Sequence, residues 1–190
     1  LMDGGPTIAG VFFPDKPTKT NGKSAAFGPT NRGIAVQVGD REEGGALFDA
    51  ELMRFTAAWT GRFVRFREKR EDERAEYRFE IGGKIFHKLT EGTGWASSDG
   101  KWIDPRPKGL GQLSASRLNY LGQYRAGKRV IFHYEVNGVK VLDSPWMKVE
   151  DGKPVFTRDI RVAARNKSMR LRLAPSHGTN AATSNHPDLS

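Results

Sequence analysis

Across residues 129–143 apolar and polar positions alternate. Val130, Phe132, Tyr134 and Val136 share one parity, Asn137-Gly138 follows, and Val139 and Val141 return. An extended chain turns successive side chains to opposite faces, so this pattern predicts two strands, each with one buried face. Asn-Gly between them is a strong hairpin signal, because both residues of the tight turn must accept positive φ. A two-residue loop sets Val136 opposite Val139 and Tyr134 opposite Val141. A second hairpin is predicted from residues 77–81 through Gly82-Gly83 to residues 84–86, pairing Phe79 with Phe86. Further strands are expected at 7–13, 33–38, 46–50, 54–59, 62–66, 154–162 and 169–174, and no long helix is required. Many short strands punctuated by Gly, Asp-Gly and Pro predict an all-β fold: an antiparallel β-sandwich, concanavalin-like or jelly-roll-like, with long loops. Residues 99–116, rich in Gly, Pro, Lys and Ser, read as one such loop lying over the sheets. Residues 1–176 are expected to form a single sandwich domain, and the polar, aperiodic residues 177–190 a flexible tail or linker.

Composition narrows the chemistry. With 190 residues and 37% apolar content the chain can bury a core without disulfides or metals. The absence of cysteine removes disulfide frameworks, thiolate metal sites, covalent haem attachment and cysteine nucleophiles. No apolar run approaches the roughly 20 residues of a transmembrane helix. No basic-then-apolar signal segment opens the chain, and a start at Leu1 is consistent with removal of a leader or upstream segment. The formal charge of +9, from 31 Lys and Arg against 22 Asp and Glu, favours acidic partners. Between Arg65 and Glu80 the charges are so mixed that a solvated loop or exposed short helix is expected. In residues 156–162 and 169–173 alternation sends Arg161, Arg170 and Arg172 to the outer face of a sheet. That basic strip suits an acidic protein complex or a membrane surface. Nucleic acid is not an expected partner, because neither an aromatic recognition motif nor a reading helix is present.

Candidate ligand contacts come from the aromatic and charged loops. Trp59 lies in an expected strand and belongs to the core, whereas Trp95 and Trp102 have Gly-rich or charged neighbours. An indole face stacks on the C–H face of a sugar while Asp, Arg or Asn hydrogen-bonds its hydroxyls. Asp104-Pro105-Arg106 adds a carboxylate and a planar guanidinium on a backbone limited by proline. The same pair would equally serve as an internal salt bridge pinning the long loop. Trp95, Trp102, Asp104 and Arg106 are therefore the candidate ligand-binding set. No residue is assigned to catalysis; the alternative is Asp49 and Glu51, two apart on an expected strand and facing one way, like the paired carboxylates of sandwich glycosidases. His87 and His133 fall in strands and His177 and His186 in the tail, with no metal-ligand spacing. Ser114 and Ser116 lack a nucleophile-elbow context. No metal and no cofactor are expected.

The blocks also occur in a distinctive order: Gly5-Pro6, Arg32 to Val36, Phe48-Asp49, Ala58-Trp59-Thr60-Gly61, Gly94-Trp95-Ala96, Asp104-Pro105-Arg106 and Tyr120-Leu121-Gly122-Gln123-Tyr124. In this order the chain resembles an uncharacterised family of extracytoplasmic domains from planctomycetes and verrucomicrobia, over about residues 2–174. Ala58 stands where that family usually has Gly, and the stretch from Arg65 to Glu80 is unusually charged for it. The resemblance implies a periplasmic or secreted location. It also implies a place in front of sugar-dehydrogenase-like propeller and c-type cytochrome modules. The Cys-x-x-Cys-His haem signature is absent here, so redox chemistry would belong to such partners. The expected function is a non-catalytic accessory or binding module of a multidomain protein or assembly, with carbohydrate as the ligand class. The alternatives are a sugar-active enzyme using Asp49 and Glu51, and a docking subunit using the basic sheet face.

Overall fold

The computed structural model describes residues 5–13, 19–20, 23–24, 30–71, 74–89, 91–109 and 111–174, so the expected tail at 177–190 lies outside the described residues. Among them the chain is all-β with no α-helix. The strands are β1 (Thr7–Phe13), β2 (Lys19–Thr20), β3 (Lys23–Ser24), β4 (Thr30–Val38), β5 (Gly44–Asp49), β6 (Arg54–Thr60), β7 (Val64–Glu71), β8 (Arg74–Ile81), β9 (Lys84–Lys88), β10 (Leu118–Ala126), β11 (Arg129–Val136), β12 (Val139–Glu150) and β13 (Lys153–Val162). They build a curled seven-stranded sheet in the order β7-β8-β1-β4-β5-β6-β9, a four-stranded sheet β10-β11-β12-β13, and the small β2–β3 ribbon. The four-stranded sheet is an antiparallel meander, and its Asn137-Gly138 hairpin pairs Val136 with Val139 and Tyr134 with Val141 as the alternation requires. The large sheet is mixed. β1 runs parallel to β8, with Phe12 beside Phe79, so the sandwich is not antiparallel throughout.

Two cores flank the middle of the large sheet. On one side Ile34, Val36, Phe48 and Phe55 meet Val130, Phe132 and Tyr134 of the other sheet, with Phe48 stacked on Phe132 at 4.2 Å. On the opposite side the curl encloses Phe12, Ala35, Leu47, Ala57, Trp59 and Ile81. β5 is consequently buried along its whole length, and β6 over all but its last residue. Strands covered on both faces read as continuous apolar runs, which is the form of Ala46-Leu47-Phe48 and Ala57-Ala58-Trp59.

Three local expectations are overturned. Gly82-Gly83 is not a hairpin turn: β8 pairs with β7 and β1, whereas β9 pairs with β6, so Phe79 does not face Phe86. The glycines serve close approach instead, since Gly82 N–H donates to the Phe63 carbonyl at 3.1 Å and a Cβ on Gly83 would run into the Thr60 carbonyl oxygen. The charged stretch from Arg65 to Glu80 is neither loop nor helix but most of β7 and β8. Its ladder sets Arg65 opposite Glu80 and is anchored by Val64 opposite Ile81 and Phe66 opposite Phe79. Opposite charges across a ladder stabilise strand pairing, so mixed charge does not exclude a sheet. Residues 169–174 form no strand, only a single bridge from Leu171 to Trp95.

Candidate functional site

The turn from β5 to β6 organises one end of the sandwich. Asp49 closes β5, and its carboxylate accepts hydrogen bonds from the backbone N–H of Glu51 at 3.0 Å and Leu52 at 3.3 Å. This is an Asx turn, in which a short carboxylate replaces a backbone acceptor. Met53 takes φ of 47°, and Arg54 then opens β6 with Nε donating back to Asp49 at 3.3 Å. The Arg54 Nη1 reaches the Gly92 carbonyl at 2.7 Å, tying the turn to the loop that precedes Trp95. Glu51 lies in the turn and not on the strand. Its carboxylate accepts Arg106 Nη1 at 2.5 Å.

Arg106 also grips Asp104, with Nε at 2.9 and 3.1 Å and Nη2 at 2.8 Å, and reaches the Gly111 carbonyl at 2.5 Å. These hydrogen bonds hold the Asp104 carboxyl below its ordinary range. Burial alone would depress the Arg106 guanidinium, but Asp104 and Glu51 outweigh it and raise its pKa. For Arg54 burial wins over Asp49 and the shift is downward. Three carboxylates and two guanidinia thus clamp the long loop onto the β5–β6 turn. The backbone adds to the clamp: Gly94 N–H donates to the Leu52 carbonyl at 2.9 Å and Thr93 N–H to the Trp102 carbonyl at 3.0 Å.

Above this clamp lies an open cleft of about 370 Å³, lined by Glu91, Gly92, Trp102, Ile103, Asp104 and Arg172. The Trp102 indole N–H is shut off from solvent and has no acceptor among the described residues, so any exposed part of that side chain is carbon. Ile103 is 66% exposed beside it. Arg172 is placed by its own N–H donating to the Gly94 carbonyl at 2.9 Å, and its Nη1 donates to the Glu91 carbonyl at 3.3 Å.

Of the sequence candidates, Trp102 and Asp104 meet at this cleft, with Arg106 directly behind Asp104. Trp95 does not join them. It is 4% exposed in the inter-sheet core, where its indole N–H donates to the Tyr134 hydroxyl at 3.2 Å. Arg172 reaches the cleft from a segment outside the sheet, while Arg161 is exposed on β13 and Arg170 on the 169–174 segment. Since 169–174 is not a strand, the three arginines do not form one strip on a sheet face. Asp49 and Glu51 do not share a strand face either, and each carboxylate is committed to a different arginine. Among the described residues no group of three His, Asp or Glu side chains is placed to hold a metal ion, and no helix is long and apolar enough to cross a membrane.

A buried polar chain escaped the sequence reading. The Tyr134 hydroxyl, which accepts from Trp95, donates to Asp143 at 2.8 Å, and Arg158 binds both Asp143 oxygens, through Nη2 and through Nε at 3.2 Å. The Arg158 guanidinium lies 4.7 Å over the Phe55 ring. Burial and then the Asp143 charge push the Tyr134 hydroxyl well above its ordinary pKa. Parity held the missing signal, because Asp143 shares the inward parity of Val141, and Arg158 that of Phe156 and Ile160.

No curated protein and no solved structure matches the chain. A family model described as a domain of unknown function, DUF6797, matches residues 46–143. That span is just over half of the chain. It contains the β5–β6 turn, the whole carboxylate and guanidinium clamp, and every cleft residue except Arg172. The chain belongs to the DUF6797 family.

Proposed function

We propose that this domain is a non-catalytic carbohydrate-binding module, with the ligand seated in the cleft of Trp102, Ile103, Asp104, Glu91 and Arg172. The observation that carries the proposal is the convergence there of exposed apolar surface with carboxylate and guanidinium groups on a backbone fixed from below. Sugars are recognised by that division of labour, an apolar face for the ring and a few oriented polar groups for its hydroxyls. The enzyme reading is weaker. Asp49 and Glu51, 4% and 8% exposed, are each held by an arginine and line no part of this cleft. An extracytoplasmic location, and neighbours of the propeller and cytochrome kind, rest on the resemblance of the ordered blocks.

The test is titration of the domain with a panel of gluco-, manno- and galacto-oligosaccharides, followed by amide shifts and calorimetry, with product analysis for hydrolysis. Binding without turnover is expected, with shifts centred on residues 91–104 and 172. Trp102→Ala should weaken it at least about tenfold, which is about 1.4 kcal/mol. A folded Trp102→Ala variant that binds as well as the parent would place the ligand elsewhere, and hydrolysis lost in Glu51→Gln would move the assignment to the enzyme.

A further inference from the structure

We infer that the cleft selects neutral, hydroxyl-rich sugars and discriminates against uronates and sulfated glycans, an inference that rests on the carbohydrate reading above. The chain as a whole carries +9, which by itself would favour an acidic glycan. The cleft does not share that charge. Glu91 and Asp104 line it with Arg172 as the lining cation, while the Arg106 side chain, 7% exposed, lies behind Asp104 and is shared between Asp104 and Glu51, so two carboxylates face one guanidinium. The donor and acceptor inventory is mixed in the same way. Glu91 and Asp104 can only accept hydrogen bonds, whereas Arg172 can only donate. Among the described residues the Arg172 guanidinium has one hydrogen bond, to the Glu91 carbonyl, and no carboxylate within ion-pair distance.

A ligand carboxylate or sulfate only accepts. It would satisfy Arg172 but lie beside two carboxylates, one of them, Asp104, already held as an anion by Arg106. An ammonium group only donates and would lie beside Arg172. A hydroxyl does both, so a vicinal pair of hydroxyls can donate to a carboxylate and accept from the guanidinium at once. The carbon surface of Trp102 and the exposed Ile103 complete the fit, because the C–H face of a hexose is apolar.

The experiment compares matched ligands on the intact chain. Fully methyl-esterified and de-esterified oligogalacturonides share a backbone and differ at C6, a neutral methyl ester in one and a carboxylate in the other. The neutral panel above, which lacks both groups, separates the effect of charge from that of the added methyl. Calorimetry at low and high salt is expected to show neutral and esterified sugars binding with less than about a threefold change. The charged form should be at least about tenfold weaker at low salt, where unscreened repulsion is strongest. Glu91→Gln removes one cleft carboxylate and leaves the Asp104–Arg106 pair in place, so it should relax the discrimination against the charged form. Preference for the de-esterified form, fading with salt, would overturn this inference and leave the carbohydrate reading standing. Discrimination unchanged in Glu91→Gln would overturn its electrostatic basis, and failure of every sugar to bind would overturn both.

Discussion

His87 shows how one residue can give the molecule a pH limit. Its ring stacks on Phe156 at 5.5 Å in the first core, and its Nε2 has no hydrogen-bond partner among the described residues. Burial, followed by the nearby Arg158 cation, pushes its pKa down to about 4 against the support of a hydrogen bond with the Phe55 backbone. The folded protein therefore keeps a neutral imidazole where the unfolded chain, titrating at the ordinary 6.5, takes up a proton. Stability from this site is full above the unfolded value. It is lost as pH falls from there towards the folded one, by about 3 kcal/mol. Asp104 acts in the same direction, but its window lies lower, below the ordinary carboxylate value of 3.8. His87→Phe retains a ring for the stack and has nothing to protonate. Urea unfolding at about pH 7 and about pH 4.5 should show the parent losing about 2–3 kcal/mol that the variant retains. An equally steep loss in His87→Phe would assign the acid sensitivity to other groups.

At the scale of elements, what was legible in the sequence was what is local. Asn137-Gly138 joins strands that pair with each other, so periodicity and turn chemistry settle both the turn and the register. Gly82-Gly83 looks the same and does something else, because its flanking strands take other partners across the curl. The place of Glu51 is not legible for a related reason: the Asx turn of Asp49 ends β5 before Glu51, and its arginine partner lies 55 residues away. Gly94 belongs to this non-local class. It needs no positive φ, but a Cβ would meet the Met53 carbonyl oxygen and the Arg54 backbone. Backbone cannot give way as a flexible side chain does, so Gly94→Ala should cost about 1–3 kcal/mol and loosen the loop carrying Glu91 and Gly92. Denaturant midpoints and amide shifts at Glu91, Gly92 and Trp102 test this together. A neutral substitution with an unmoved loop would show that the close approach is not required.

For the whole molecule, the sandwich class was legible from strand density and parity. The curl was not, because no single strand reveals that its second face is covered by strands distant in sequence. β4, β5 and β6 are the shared wall: Ile34, Val36, Phe48 and Phe55 face one core, while Ala35, Leu47, Ala57 and Trp59 face the other. Neither core keeps its wall if the other loses its own, so both should unfold in one cooperative transition. Trp59 sits in the second core and Trp95 and Trp146 in the first, which gives each side its own fluorescent reporter. A variant retaining Trp59 alone and a second retaining Trp95 alone, with Phe at the other tryptophan positions, report the two sides separately. Within each variant the fluorescence and far-ultraviolet circular dichroism transitions should coincide. Leu47→Ala in the second core should lower stability by about 2–5 kcal/mol and move the Trp95 transition as far as it moves the Trp59 transition. If Leu47→Ala shifts the Trp59 signal while Trp95 melts at its original midpoint, the shared strands do not couple the cores, and the molecule is two units that share a sheet.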